Sequence, residues 1–399
     1  MSDSSPAAPA RPTTPAVTPA GELSFTVSGN TATVGALTPA QRSALTSAGG
    51  AALTLDLTAQ GGTVTRAVLS SELLSQLAGA LSSGGASRVE IVLSSGKVTL
   101  DAATLAAVLA LGGDVQLTLE ELSADALSEA QAAALARRES VKLLNIESAA
   151  GGKEVTDFGG GRVEIAVPFT PAAGHAPRGY AVWHLAESGA LNRHSTGYAD
   201  NALSFRSAHF SVFAVLYDEP ALLSDVPDGA WFTRDVDQVR ALGLMSHVGD
   251  GLFAPNESLT RAMFVQILFN AEKGESGAAA RFNDVPADAW YAGAVNWAAE
   301  AGIVSGVGDG QFSPNTEITR EQLVTMLYNY AKYKNADLSR TASLDRFSDA
   351  DGVSAWASPA AQWAVGNKLI DGMDGLFSAN AGATRAQVAK LLAYYFEAF

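Results

Sequence analysis

The chain has 399 residues, 47% of them apolar, with 26 Lys and Arg against 41 Asp and Glu and a formal charge of −15 at pH 7. That length supports two or three domains with real cores, and the acidity disfavours long-range attraction to nucleic acid or an anionic membrane, so an anionic ligand has to be held by local donors. The lack of cysteine excludes disulfides, thiol chemistry and cysteine metal sites, and no apolar run approaches the roughly 18 residues that span a bilayer.

In chain order, residues 1–21 form a Pro/Ser/Thr/Ala-rich linker of the kind that stays extended and solvated. They lack the basic stretch and apolar core of an export signal, so the chain is expected to be a fragment whose signal lies upstream. Residues 22–141 alternate β-favouring runs with short amphipathic helices. Ala52–Leu57, Val89–Leu93 and Val115–Leu119 read as strands, while Leu73, Leu74, Leu77 and Leu81 share one helical face. Thr38 with Gln41 and Ser128 with Gln131 are capping boxes, and another helix is entered at Asp101. This segment reads as an α+β module.

Across 142–218 the helical signal fades. Val163, Ile165 and Val167 alternate with Glu164, Ala166 and Pro168, and Tyr180–Leu185, Ala202–Phe205 and Phe210–Tyr217 supply aromatic strands. The expectation is a β-rich module, sandwich-like or a meander.

From residue 219 the text repeats three times, over 219–271, 282–332 and 347–399. The second copy sets the register: Phe282-Asn283-Asp284-Val285-Pro286, Trp290-Tyr291, Gly308-Asp309-Gly310-Gln311-Phe312-Ser313-Pro314-Asn315, then Ile318-Thr319-Arg320. The first copy gives Ser224-Asp225-Val226-Pro227, Trp231-Phe232, Gly249 to Asn256 and Leu259-Thr260-Arg261. The third keeps Phe347-Ser348-Asp349, Trp356, Asp374-Gly375-Leu376-Phe377 and Thr384-Arg385, with one residue fewer before its glycine turn. Each copy offers two helices, one after the tryptophan and one from the Thr-Arg pair, as in Leu323, Met326, Leu327 and Tyr330. Such a repeat cannot bury its apolar face alone, so neighbours must pack together.

This order of motifs resembles the S-layer homology repeat of bacterial cell-surface proteins, over somewhat under half the chain. The resemblance implies a multidomain protein whose α+β and β-rich modules precede an all-α-type pseudo-threefold bundle of three repeats, with a groove between each pair. It implies a non-catalytic anchor at the cell wall, outside the membrane. Its partner would be a secondary cell-wall polysaccharide, anionic and often carrying a pyruvate ketal, with self-association in a surface layer a further expectation. Residues 22–218 resemble, more loosely, the stalk segments that often precede such repeats.

The Thr-Arg pair has two readings. Thr-x-x-Gln capping boxes at Thr319 and Thr384 explain the threonine and glutamine with no ligand; the first copy breaks the box with Met263. They leave the arginine unexplained, since a cation at the positive end of the helix dipole is unfavourable by roughly 0.3–1 kcal/mol. A helix N-terminus with a guanidinium makes an anion site from backbone N–H groups and a bidentate fork. Arg261, Arg320 and Arg385 are therefore candidates for ligand contact, salt bridges to a neighbouring repeat being the other reading. By resemblance the anion is the pyruvyl carboxylate. The shortened turn of the third copy is expected to make its groove the poorest.

Asp225, Asp284 and Asp349 either cap the helix that follows or accept from sugar hydroxyls, as the family's acidic residue does. Trp231, Trp290 and Trp356 read first as core, with stacking on a sugar as the alternative. Gly251, Gly310 and Gly375 read as tight turns needing positive φ, or as backbone that lets amides approach a glycan. These turns lack the Gly-Lys-Ser/Thr of a phosphate loop and the Asp spacing of a calcium loop.

The five histidines show no His-Glu-x-x-His pattern, and there is no Gly-x-Ser-x-Gly elbow. No catalytic residue, metal or cofactor is expected. The alternatives to an anchor are a surface hydrolase, using carboxylates such as Glu164, Asp200 or Asp218, and an adhesin, either with its active module in 22–218.

Overall fold

Alternation of apolar and polar side chains builds residues 25–217 around strands, which fall into two sheets and are followed by a helical C-terminal region. The computed structural model describes residues 24–399 apart from 47–51, 59–61, 84–85, 137, 151–152, 156–157, 159–160, 221, 250 and 274–278. The linker expected over residues 1–21 lies outside the described residues, as do Asp250 and residues 274–278 between the first two repeats. Two compact units are distinct, one of residues up to 121 with 145–167, the other of 122–144 with 168–399. The division therefore differs from a boundary at 141 and 142, because residues 122–144 and the later hairpins belong with the repeats.

In the first unit, Phe25–Ser28 pairs antiparallel with Thr31–Val34, which runs parallel to Arg66–Leu69, itself antiparallel to Val115–Glu121. A second ladder sets Ala52–Asp56 parallel to Arg88–Leu93, then Gly96–Leu100 antiparallel to it, then residues 164–166 against Gly96–Leu100. Parallel neighbours need crossover connections, and helices such as Ser71–Ser82 supply them. That helix buries Leu73, Leu74, Leu77 and Leu81 on one face, as their spacing dictates, and starts where the Ser70 hydroxyl accepts from Leu73 N. Asp101 caps Ala102–Ala110 in the same way through Thr104 N.

In the second unit, helix Glu129–Leu135 opens with the reciprocal Ser128–Gln131 capping box, and Leu135 packs with Leu143, Leu185, Ala214 and Leu216. Tyr180–Leu185 pairs antiparallel with Leu191–Arg193 on one side and Val212–Tyr217 on the other, and Thr196–Ala199 makes a hairpin with Ala202–Ser207. The hairpin turns through Asp200 and Asn201, at φ 51° and 55°, residue types that tolerate the left-handed region.

Each repeat folds as a short and a longer helix: Thr233–Ala241 with Arg261–Glu272, Ala292–Glu300 with Arg320–Tyr333, and Ser358–Gly366 with Arg385–Ala398. Their apolar faces meet in one core shared by all three repeats, where Phe253, Phe312, Phe377, Tyr330, Trp363 and Tyr395 are buried. This shared core is the physical reason that a repeat needs its neighbours.

A buried polar cluster fixes the hairpins to the first and last of these helices. Arg206 lies 2.9 Å from Asp235 Oδ1 and 3.6 Å from Glu397 Oε2, with its guanidinium 3.7 Å above the Tyr394 ring. Ser195 donates from its hydroxyl to Asp235 Oδ1 and from its N–H to Glu397 Oε1, both at 2.9 Å. Alongside, Arg178 forks onto Asp237 at 2.7 and 3.0 Å, and Gln238 exchanges hydrogen bonds with Arg193 at 2.6 and 2.7 Å. Thr233, Asp235 and Gln238 are thus buried.

Candidate functional site at the repeat junctions

The recurrent aspartate does not cap the helix that follows it. Asp284 instead accepts at 2.8 Å from Phe312 N and at 2.7 Å from Ser313 N, 28 and 29 residues on. Asp225 grips Phe253 N and Ala254 N at 2.8 and 2.6 Å, and Asp349 grips Phe377 N and Ser378 N at 2.7 Å each. The residue after each phenylalanine is strained, with φ of 56° at Ala254, 58° at Ser313 and 57° at Ser378. A bidentate carboxylate holds that turn in place. Burial alone would raise the acidities' midpoints, but the backbone donors, with Arg261 and Arg320 nearby, hold the Asp284 and Asp349 carboxyls below the usual carboxylate range.

Each arginine crosses to the next repeat. Arg261 Nε donates to Phe312 O at 2.9 Å, Arg320 Nε to Phe377 O at 2.8 Å and Arg385 Nε to Phe253 O at 2.6 Å. Repeat one therefore reaches repeat two, two reaches three, and three returns to one. Arg261 and Arg385 also place NH2 on a second carbonyl, Ser305 O at 3.4 Å and Ser246 O at 2.8 Å. The three side chains are buried, their residues only 4%, 7% and 8% exposed, and burial pulls their pKa down from the ordinary value, opposed by Asp284, by Asp349, and by Glu257 with Asp225.

The backbone half of the expected anion site is already occupied. Arg261 N and Ala262 N donate to Thr316 O and Pro314 O, Arg320 N and Glu321 N to Ala381 O and Ala379 O, and Arg385 N and Ala386 N to Glu257 O and Pro255 O. The next amide of each helix goes to the threonine hydroxyl, from Met263, Gln322 and Gln387. What remains for a ligand is guanidinium N–H. Among the described residues, NH1 of Arg261 and Arg385, and both NH1 and NH2 of Arg320, take no hydrogen-bond partner.

The tryptophans are not core. Trp231, Trp290 and Trp356 are 48%, 62% and 56% exposed. The reason lies in the next residue: Phe232, Tyr291 or Ala357 enters the core, so the indole before it points outward, edge-on to its neighbour at 88° for Trp231 and 83° for Trp290. Gly251, Gly310 and Gly375 adopt φ of 71°, 70° and 77°, as the tight turns require. Beside them Val248, Val307 and Met373 stand exposed.

Nothing in the repeat pattern signals the phenylalanine carbonyls that receive the arginines, nor Glu321. That buried carboxylate accepts from Ser354 N at 3.0 Å and from Ser354 Oγ at 3.1 Å, two residues before Trp356. It ties the tryptophan segment of repeat three to the helix that starts with Arg320.

Elsewhere in the second unit, His184, His194 and His209 gather around Phe213, and burial, helped by the charge of His209, pushes the His184 and His194 imidazoles down to about 4. Among the described residues no group of His, Asp and Glu has metal-binding geometry. A cavity of about 360 Å³ lies between the hairpins and the first repeat, and its carboxylates Asp228 and Asp237 are both paired with Arg178.

A family model described as the S-layer homology domain matches residues 223–263, 281–324 and 346–389. The chain is 33% identical over 132 residues to a surface-layer 125 kDa protein of Lysinibacillus sphaericus, covering 33% of this chain and 11% of that one. It is 36% identical over 106 residues to a surface layer protein of Brevibacillus choshinensis, covering 25% and 10%. It is also 31% identical over 173 residues to an endoglucanase of Bacillus sp. (strain KSM-635), covering 42% and 18%. The chain thus spans less than a fifth of the length of these relatives.

Proposed function

We propose, on the premise that residues 223–389 are three S-layer homology domains, that the chain is a non-catalytic anchor holding a bacterial surface protein to the cell wall by binding wall polysaccharide. The three repeats act as a pseudo-threefold bundle, and each junction offers one groove. The observation that carries this reading is threefold recurrence of the same chemistry: a buried guanidinium that keeps at least one unpartnered terminal nitrogen, with an exposed indole in every repeat. A guanidinium N–H suits a carboxylate, and an indole face suits the apolar face of a sugar. The ligand is accordingly an anionic secondary cell-wall polysaccharide, its charge supplied by a pyruvate ketal. Site residues are Arg261, Arg320 and Arg385 for the anion and Trp231, Trp290 and Trp356 for the sugar. Asp225, Asp284 and Asp349, with Gly251, Gly310 and Gly375, shape the turns between. The protein sits outside the membrane at the cell wall, and no described helix is long and apolar enough to cross a bilayer. The upstream strands serve as spacer or surface-layer material.

The test is co-sedimentation of the whole chain with purified wall sacculi, before and after mild-acid release of ketal-linked pyruvate. The whole chain is needed because Arg206 and Ser195 complete the packing of the repeats. Binding that is lost after acid is the expected result. Binding unchanged by acid would move the contact to neutral sugars, and no binding to either preparation would end the anchor reading.

A further inference from the structure

The three junctions are not equivalent. Arg261 and Arg385 engage both Nε and NH2 with carbonyls of the neighbouring repeat, leaving NH1 alone. Arg320 engages only Nε, at 2.8 Å from Phe377 O, and its guanidinium stands 5.8 Å from the Phe377 ring, against 4.7 and 4.6 Å for the equivalent pairs. Where repeats one and two present Ser246 O and Ser305 O, repeat three has Asp371, whose exposed carboxylate lies 3.9 Å from Arg346. Arg320 alone keeps both terminal nitrogens, the pair that grips a carboxylate end-on through two parallel N–H···O bonds.

A second observation concerns the same junction. Glu321 is replaced by Ala262 and Ala386 in the other repeats, so among the described residues only here does a side chain at the helix start hold the segment that precedes the tryptophan. Both oxygens of Glu321 are engaged by Ser354, and among the described residues it makes no ion pair with Arg320. Ordering a stacking residue before binding removes part of the entropy cost of immobilising it.

We propose that the junction of repeats two and three is the principal carboxylate site of the chain, with Arg320 as the gripping side chain and Glu321 as the positioning residue that pre-sets Trp356. This rests on the anchor reading above. It reverses the expectation that the shortened turn makes this groove the poorest.

The experiment is equilibrium binding of the whole chain to purified sacculi, untreated and stripped of ketal-linked pyruvate, for Trp231→Ala, Trp290→Ala, Trp356→Ala, Glu321→Ala and Glu321→Gln, each checked for folding by near-UV circular dichroism. Trp356→Ala is expected to weaken binding to untreated sacculi at least tenfold, Trp231→Ala and Trp290→Ala by less than threefold each. Glu321→Ala is expected to cost about fivefold, and Glu321→Gln, which still accepts from Ser354 N, to restore affinity to within twofold. Equal losses at the three tryptophans, or a larger loss at Trp231 or Trp290, would overturn the assignment of this junction. Failure of Glu321→Gln to rescue would overturn the positioning role. If the unaltered chain binds neither preparation, the anchor reading itself has failed, an outcome separate from these.

Discussion

Asp284 and Arg261 hold one phenylalanine from its two sides: Phe312 N donates to Asp284 Oδ1 at 2.8 Å, and Phe312 O accepts from Arg261 Nε at 2.9 Å. The two charged groups belong to different repeats and communicate through a peptide rather than a salt bridge. The carboxylate fixes the turn, the turn aims the carbonyl, and the carbonyl orients the guanidinium.

If the aspartate braces the turn, Asp284→Ala leaves Phe312 N and Ser313 N without their acceptor and destabilises the protein by about 1–3 kcal/mol. Adding Ser313→Gly, which relieves a φ of 58°, recovers about 0.5–1 kcal/mol. Urea unfolding of the single and double variants checks both. No loss in the single variant would remove the bracing role.

Trp290 touches solvent more than protein, so Trp290→Ala is expected to change stability by less than about 0.5 kcal/mol. Its effect should appear in sacculus binding. A drop of several degrees in Tm would return the tryptophan to the core.

Arg206→Met leaves the buried carboxylate of Glu397 without its ion-pair partner and that of Asp235 with Arg234, 4.0 Å away, in place of a cation at 2.9 Å. Breaking one side of a buried pair costs about 3–5 kcal/mol, read as a lower urea midpoint. Restoration by Arg206→Met with Asp235→Leu and Glu397→Leu would show that the charge, not the shape, was at issue.

Acid should loosen the second unit before carboxylate titration begins. His194 is buried with its pKa held at about 4, against about 6.5 in an unfolded chain. Above 6.5 neither state binds the proton; between 6.5 and 4 the unfolded state binds it and the native state does not. Stability therefore falls as pH drops through that window, by up to about 3 kcal/mol at its foot. His194→Gln, which keeps a donor for Arg206 O, should flatten the dependence of urea midpoint on pH. An unaltered slope would reassign the effect.

Much of this was legible in the text. The threefold return of Asp, Trp, Gly-Asp-Gly-x-Phe and Thr-Arg located the repeats, and the threonine caps fixed where each second helix begins, with Thr319 and Thr384 closing full capping boxes. Position along the chain could not say what the same residues touch. Asp284 sits just ahead of a helix, so capping was the local inference, while its true partners lie 28 and 29 residues away. Trp231-Phe232 and Trp290-Tyr291 offer two aromatics of which one must be buried, and propensity does not choose between them. A signal was present: Trp356 is followed by Ala357, so the repeat keeps the tryptophan even where no aromatic follows it. The burial of Thr233, Asp235 and Gln238 on the helix Thr233–Ala241 has no local signal, because Arg178, Arg193 and Arg206, which cover it, come from strands and a turn far upstream.

The bond from Ser195 N to Glu397 Oε1 joins residues 202 apart and brings the last helix back to the hairpins that precede the first repeat. A tensile load arriving from the N-terminal side therefore meets the last turn of the helix Arg385–Ala398 at the same place as it meets the first repeat. Peeling of that helix is blocked until the Ser195, Arg206 and Glu397 contacts rupture together, so the fold resists pulling in shear rather than one helix at a time. Single-molecule extension should show one dominant rupture for the repeats, lowered by Arg206→Met; a ladder of three small steps would show instead that each repeat bears the load alone.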